Sequence, residues 1–182
     1  MAEKASELRQ FIRSVPDYPK KGIMFRDITT LLKEPNALNQ AIGLMEKEIK
    51  ARNLKVDKIA GIESRGFIFG SILASRLGKG FVPLRKKGKL PAKTISHEYT
   101  LEYGKDCIEL HEDAIGRGEK VLVVDDLLAT GGTAEAAVRL VEKAGGKVAG
   151  LAFLVELSFL NGRKKLEGHE VAALVDYKDE KP

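Results

Sequence analysis

The run Val121-Leu122-Val123-Val124, followed directly by Asp125-Asp126-Leu127-Leu128-Ala129-Thr130-Gly131-Gly132-Thr133, constrains this chain more than any other stretch. Four consecutive apolar residues, three of them β-branched, predict a strand buried on both faces. Residues 134–143 are good helix formers, and Gly145-Gly146 is a stop signal. The local order is therefore strand, acidic pair, small-residue loop, helix. Small residues at a helix start leave backbone N–H groups open at the positive end of the helix dipole, which makes a seat for phosphate. Two carboxylates just upstream would repel a bare phosphate but suit hydroxyl groups or a metal ion. Phosphate at one end and polyol at the other point to a phosphorylated sugar.

Two commoner phosphate motifs are missing. The loop has no Gly-x-x-x-x-Gly-Lys-Ser/Thr, so the P-loop lysine is absent, and no Gly-x-Gly-x-x-Gly, so there is no dinucleotide fingerprint. A Gly-Gly pair alone would equally serve a tight βα turn. The acidic pair and two threonines at these spacings favour a ligand.

Other strand-like segments are residues 56–62, 80–84, 148–155 and 171–175, and helical patterns at 66–77 and 133–144 separate three of the strands. Alternating strands and helices imply βαβ units and a parallel sheet. Residues 94–110 instead alternate with period two around Gly104, which reads as a hairpin or flap. Leu8, Phe11, Ile12 and Val15 fall at helical spacing over 6–15, and Asn36 is a candidate cap for a helix carrying Leu38, Ile42, Met45 and Ile49. The first forty residues lack strand signals and are expected to cap the sheet edge. Residues 178–182 read as a solvated tail.

A chain of 182 residues suits one domain, and 43% hydrophobic with 31% charged residues excludes disorder. The net charge of +5 favours an anionic partner. A lone Cys107 fits a reducing compartment, residues 1–13 have no apolar core of a signal peptide, and the uncharged stretches at 66–75 and 148–155 fall far short of a membrane span. The expectation is a cytoplasmic protein with no membrane partner.

In open parallel sheets, ligands sit beyond the carboxyl ends of the strands. Three loops occupy such ends: Glu63-Ser64-Arg65-Gly66, Arg85-Lys86-Lys87-Gly88-Lys89, and the acidic pair with its glycine loop. A parallel sheet would bring them to one edge. The stretch 85–93 holds five basic residues in nine, a pattern also seen in solvated or nucleic-acid-binding surfaces. No interleaved aromatic supports base stacking there, so no nucleic acid is expected. His97, His111 and His169 show no metal spacing.

The Val121–Thr133 segment resembles the phosphoribosyl-pyrophosphate (PRPP) motif of the type I phosphoribosyltransferases, and its Leu-Leu-Ala form is similar to members that act on adenine. Residues 18–29, 61–67, 85–91 and 101–104 match the same family in the same order. The resemblance implies an α/β fold of the type I phosphoribosyltransferase kind: a central, mostly parallel sheet flanked by helices, with an N-terminal hood over about 1–35 and a β-hairpin flap over about 85–110 within one domain spanning 1–182. It implies transfer of the 5-phosphoribosyl group from PRPP to adenine, giving AMP and pyrophosphate, with inversion at the anomeric carbon. Asp125 and Asp126 would contact the ribose hydroxyls and, indirectly, Mg²⁺ held mainly by substrate. Ala129, Thr130, Gly131, Gly132 and Thr133 would cradle the 5-phosphate. Ser64 and Arg65 belong to the pyrophosphate loop, often built with a cis peptide, and Arg85, Lys86 and Lys89 would neutralise the leaving pyrophosphate. Glu102 stands where the family places a base for the purine proton, with Tyr103 closing over the ligand. Met24 and Arg26 would read the adenine edge, with Phe25 and Leu127 near the ring. Relatives are homodimers, with a basic residue reaching toward the neighbour's site. The competing readings are an enzyme for hypoxanthine, xanthine or orotate, and a non-catalytic PRPP-binding regulator.

Overall fold

A computed structural model describes residues 5, 7–101 and 104–181. Its centre is a seven-stranded sheet. In chain order the strands of that sheet are β3 (Lys58–Ile62), β4 (Gly80–Lys86), β5 (Thr94–Leu101), β6 (Gly104–His111), β7 (Lys120–Leu128), β8 (Lys147–Leu157) and β9 (Val171–Tyr177). They lie side by side as β5-β6-β4-β3-β7-β8-β9. The five strands from β4 to β9 are mutually parallel, and the β5–β6 hairpin adds antiparallel through the two pairs Arg85↔Glu109 and Lys86↔Ile108. The predicted βαβ sheet and hairpin are both present.

Strand β7 shows why the buried-strand reading works. Val121, Leu122, Val123 and Val124 are all 0% exposed. Leu122 and Val124 join a core formed with Ile42, Met45, Phe69 and Leu73, while Val121 and Val123 join a second core with Ala137, Leu140 and Phe153. One strand thus roots two hydrophobic layers on opposite faces of the sheet, as its lack of polar alternation requires. The first layer belongs to the helices Pro35–Ala51 and Arg65–Leu77, the second to the helix Gly132–Lys143.

The sheet also fixes the place of the site. From β3 the chain crosses to β4 on one side, and the next parallel strand, β7, lies on the other. The crevice at the carboxyl ends of β3 and β7 is therefore a topological switch point, the usual ligand position in open α/β sheets.

Several sequence expectations need correction. The N-terminal stretch is not a helix over 6–15: among the described residues it forms a 3₁₀ turn at Leu8–Phe11, which buries Leu8 fully, and then a strand, β1 (Arg13–Val15). This strand pairs antiparallel with β2 (Phe25–Asp27), so the first forty residues do contain a small sheet. Three-residue strands carry too few positions to show a period. The helix starting near Asn36 has Glu34 rather than Asn36 at its N-cap position, with no side-chain capping bond, and Pro35 in its first turn, the place where a missing N–H does no harm. Finally, the acidic pair lies inside β7, which runs on to Leu128, and the loop begins only at Ala129.

Candidate active site

At the switch point, Gly66 opens the helix that follows β3 and abuts the end of β7. A side chain at Gly66 would sit 2.6 Å from the Val124 carbonyl oxygen and 3.0 Å from Asp125 Oδ1. Only glycine permits this approach, and it brings Arg65 across to the acidic pair. Arg65 Nε donates to Asp126 Oδ2 at 2.5 Å, with Asp126 3% exposed. Asp125 accepts from the Asp126 amide at 2.9 Å. Burial, reinforced by the neighbouring Asp126 carboxylate, pushes the Asp125 carboxyl well above its ordinary range. The pair is short of positive charge, the condition that a cation or a donor-rich polyol relieves.

Beyond the pair, Gly131 takes φ +80° and caps the helix Gly132–Lys143. Its left-handed backbone turns the chain from strand to helix in three residues. Arg65, Asp125, Asp126, Leu127, Ala129, Thr130, Gly131, Gly132 and Thr133 line one cavity of about 210 Å³. The sequence-assigned sugar-phosphate residues are therefore together, at a helix N-terminus that suits an anion. The Glu63–Ser64 peptide beside them is cis.

A second cavity of about 490 Å³ adjoins the first and shares Leu127, Ala129 and Thr130 with it. Met24, Phe25 and Arg26 line it, as expected, together with Leu157, Phe159 and Leu160, which the sequence reading missed. The signal for the latter was present: they lie at or just beyond the carboxyl end of β8, a parallel strand. Phe25 packs edge-on against Tyr18, with ring centroids 5.1 Å apart, and the Arg65 guanidinium lies 5.7 Å from its ring. Arg26 is 4% exposed. Its guanidinium lies 3.9 Å over the Tyr177 ring, donates to Ser14 Oγ, and reaches the Lys181 carbonyl at 2.5 Å. Burial lowers its pKa. Lys181, in the stretch expected to be a solvated tail, thus helps to hold the Arg26 side chain of β2.

The basic stretch is more structured than a run of free cations. Arg85 forks onto Glu63 with two 3.2 Å bonds and donates to the Lys89 carbonyl at 2.9 Å. Glu63 also accepts from the Lys86 amide at 3.0 Å, and the Arg85 hydrogen bond holds its carboxyl below the usual range. Lys86 pairs with Asp106 at 3.4 Å, whereas Lys89 is exposed. Glu109, also missed, is 4% exposed and accepts from the amides of Gly88 and Leu90 and from the Thr94 hydroxyl. It organises the turn that carries these cations. Glu102 and Tyr103 lie outside the described residues. Among the described residues no three His, Cys, Asp or Glu side chains converge on a metal position. No helix among them is long and apolar enough to cross a membrane.

The phosphoribosyl transferase domain family matches residues 27–174. An adenine phosphoribosyltransferase of Thermotoga neapolitana is 57% identical over 171 residues, covering 94% of this chain and 99% of that protein. Another, of Acetivibrio thermocellus, is 56% identical with the same coverage. The crystal structure of adenine phosphoribosyltransferase from Thermoanaerobacter pseudethanolicus superposes with a TM-score of 0.92 at 53% identity, over 95% of this chain and 99% of that one. The Saccharomyces cerevisiae enzyme, complexed with D-2,5-dideoxy-2,5-imino-altritol 1,6-bisphosphate and adenine, gives a TM-score of 0.91 at 40% identity, over 96% and 99%.

Proposed function

The chain belongs to the adenine phosphoribosyltransferases, and from that premise we infer that it transfers the 5-phosphoribosyl group of PRPP to adenine, giving AMP and pyrophosphate. The observation that carries the reading is the pair of adjoining cavities. One carries Arg65, Asp125, Asp126 and the threonines of the loop and ends on a helix N-terminus; the other is mostly apolar; they share Leu127, Ala129 and Thr130. A sugar phosphate and a flat base placed in them would meet at the common wall.

The reaction breaks the bond between the ribose anomeric carbon and pyrophosphate oxygen and forms one to a purine nitrogen, which loses its proton. The chain's part is to bind, orient and neutralise. Backbone amides and hydroxyls from Ala129 to Thr133 hold the 5-phosphate, and Asp125 and Asp126 receive the ribose hydroxyls. Arg65 turns from Asp126 to the pyrophosphate, with Ser64, Arg85, Lys86 and Lys89 adding positive charge or donors. Met24 and Arg26 meet the adenine edge, with Phe25 and Leu127 at the ring. Glu102 takes the purine proton while Tyr103 closes over the site. Replacing Glu102 by Gln should lower kcat by about a hundredfold while Glu98→Gln stays near wild type; the reverse result would move the base to Glu98.

The under-neutralised Asp125–Asp126 pair fits a divalent cation. Mg²⁺ held mainly by PRPP oxygens and water would be reached by these two carboxylates indirectly and would neutralise charge on the leaving pyrophosphate. We also place the protein in the cytoplasm as a homodimer, with 1–35 as the hood and 85–110 as the flap of one domain. Tyr18 and Ile23 in the hood and Leu160 beyond β8 are exposed large apolar residues that a second copy would cover. Light scattering after gel filtration tests the dimer.

The deciding assay offers PRPP with adenine, hypoxanthine, guanine, xanthine and orotate in parallel, with and without Mg²⁺. AMP from adenine alone, and only with the metal, is expected. Turnover of another base would overturn the reading of residues 24–26. PRPP binding without turnover of any base would favour a regulator.

A further inference from the structure

The segment after β8 passes directly behind the phosphate loop. Gly162 is buried there with no side chain between the two backbones. A Cβ on Gly162 would collide with the Ala129 carbonyl oxygen and lie 3.0 Å from the Gly131 nitrogen, and a Cβ on Gly131 would collide with the Gly162 carbonyl oxygen. The collision is with backbone on both sides, so no rotamer can relieve it. The loop whose amides face the 5-phosphate therefore has a second glycine pressed against its back.

That second glycine is itself held. Arg163, the next residue, forks onto Glu156 with two 2.7 Å bonds and donates to the Val171 carbonyl at 2.9 Å. The Glu156 side chain is only 7% exposed, and the residue stands opposite Leu128 in the β7–β8 ladder, one position before the phosphate loop begins. The hydrogen bonds from Arg163 to Glu156 hold the segment at a fixed height above the sheet, and the Arg163 pKa is raised by the same bonds. Asn161, in the left-handed region at φ 56°, makes the turn that presents Gly162.

We propose that Gly162, fixed by the Arg163–Glu156 pair, is a positioning residue for the PRPP 5-phosphate: it sets the backbone of residues 129–131 from behind. The proposal rests on the PRPP reading above and adds a residue to it. Leu157, Phe159 and Leu160 of the same segment line the base cavity, whereas Gly162 does not, and the atoms nearest a Cβ at Gly162 belong to the phosphate loop. A change at 162 should therefore act chiefly on the phosphorylated ligand, seated on residues 129–131, and less on adenine, which meets residues 129 and 130 only at the common wall.

The test compares wild type with Gly162→Ala, Arg163→Lys and, as a control on the exposed side of the segment, Lys164→Ala. It reads KM for PRPP and for adenine, calorimetric binding of ribose 5-phosphate, and thermal unfolding. Gly162→Ala is expected to raise the PRPP KM and weaken ribose 5-phosphate by about tenfold or more, with the adenine KM at saturating PRPP within about twofold. Arg163→Lys keeps the charge but loses the fork, and should show the same selectivity at about threefold. Lys164→Ala should change nothing. Should Gly162→Ala fail to fold, Arg163→Lys carries the test. A folded variant with an unmoved PRPP KM, or with both KM values raised equally, overturns the proposal. Wild-type protein that neither binds ribose 5-phosphate nor turns over PRPP overturns the functional reading beneath it.

Discussion

Asp125 shows how function and stability oppose each other at a single side chain. Its carboxyl is raised by burial and by Asp126, so in the folded chain it holds its proton more readily than in the unfolded one. Folding therefore binds a proton between the unfolded carboxyl value, about 3.9, and the raised folded value. Stability falls as pH rises through that window and levels off above it. Asp125→Asn removes the charge and keeps an oxygen to accept the Asp126 amide. At neutral pH the variant should melt at higher temperature than wild type, by about 1 kcal/mol in stability, with the gap closing as pH falls toward 4. PRPP binding should be lost at the same time. Melting curves from pH 4 to 8 check this, and a variant less stable at pH 7 would contradict it. The pairing of Asp125 with Asp126 was legible in the sequence because the two are neighbours. That of Glu63 was not: Arg85, which fixes it, is 22 positions away, and nothing local marks the pair.

At the scale of elements, strand β2 has only three residues and one partner, β1, so its own ladder is a weak support for a base-reading edge. Its stiffness comes from outside. Arg26 and Arg9 both place their guanidinium carbons over the Tyr177 ring, at 3.9 and 4.2 Å, and Arg9 also donates to the Asp176 carbonyl at 3.1 Å. The end of β9 and the following residues thereby fasten the hood to the main sheet. Tyr177→Leu keeps an apolar filling but removes the ring. It should raise the adenine KM by about tenfold with little change in the PRPP KM, for a stability loss of about 1–3 kcal/mol. Steady-state kinetics with each substrate varied would show the split. The elements legible in the sequence were those with a clean period, such as β7 and the helix Gly132–Lys143. The hood strands were not, since three residues carry no period and their order depends on residue 177. The same holds for the stretch 157–162, whose meaning lies in what it touches.

For the whole molecule, the parallel sheet does the assembling. Residues from 24 to 160 arrive at one edge because β3, β7 and β8 end there and β2 lies beside them. The strand-and-helix alternation is enough to bring the loops after β3 and β7 to one edge of the sheet. The common wall of the two cavities, Leu127, Ala129 and Thr130, has a consequence for traffic through the enzyme. AMP is the molecule that would span both cavities at once, and it should exclude either substrate while it stays. Initial-rate measurements should find AMP competitive with PRPP, and adenine unable to enter the AMP-bound form. Output should then slow as nucleotide accumulates, so the product would restrain the enzyme from within the substrate site itself.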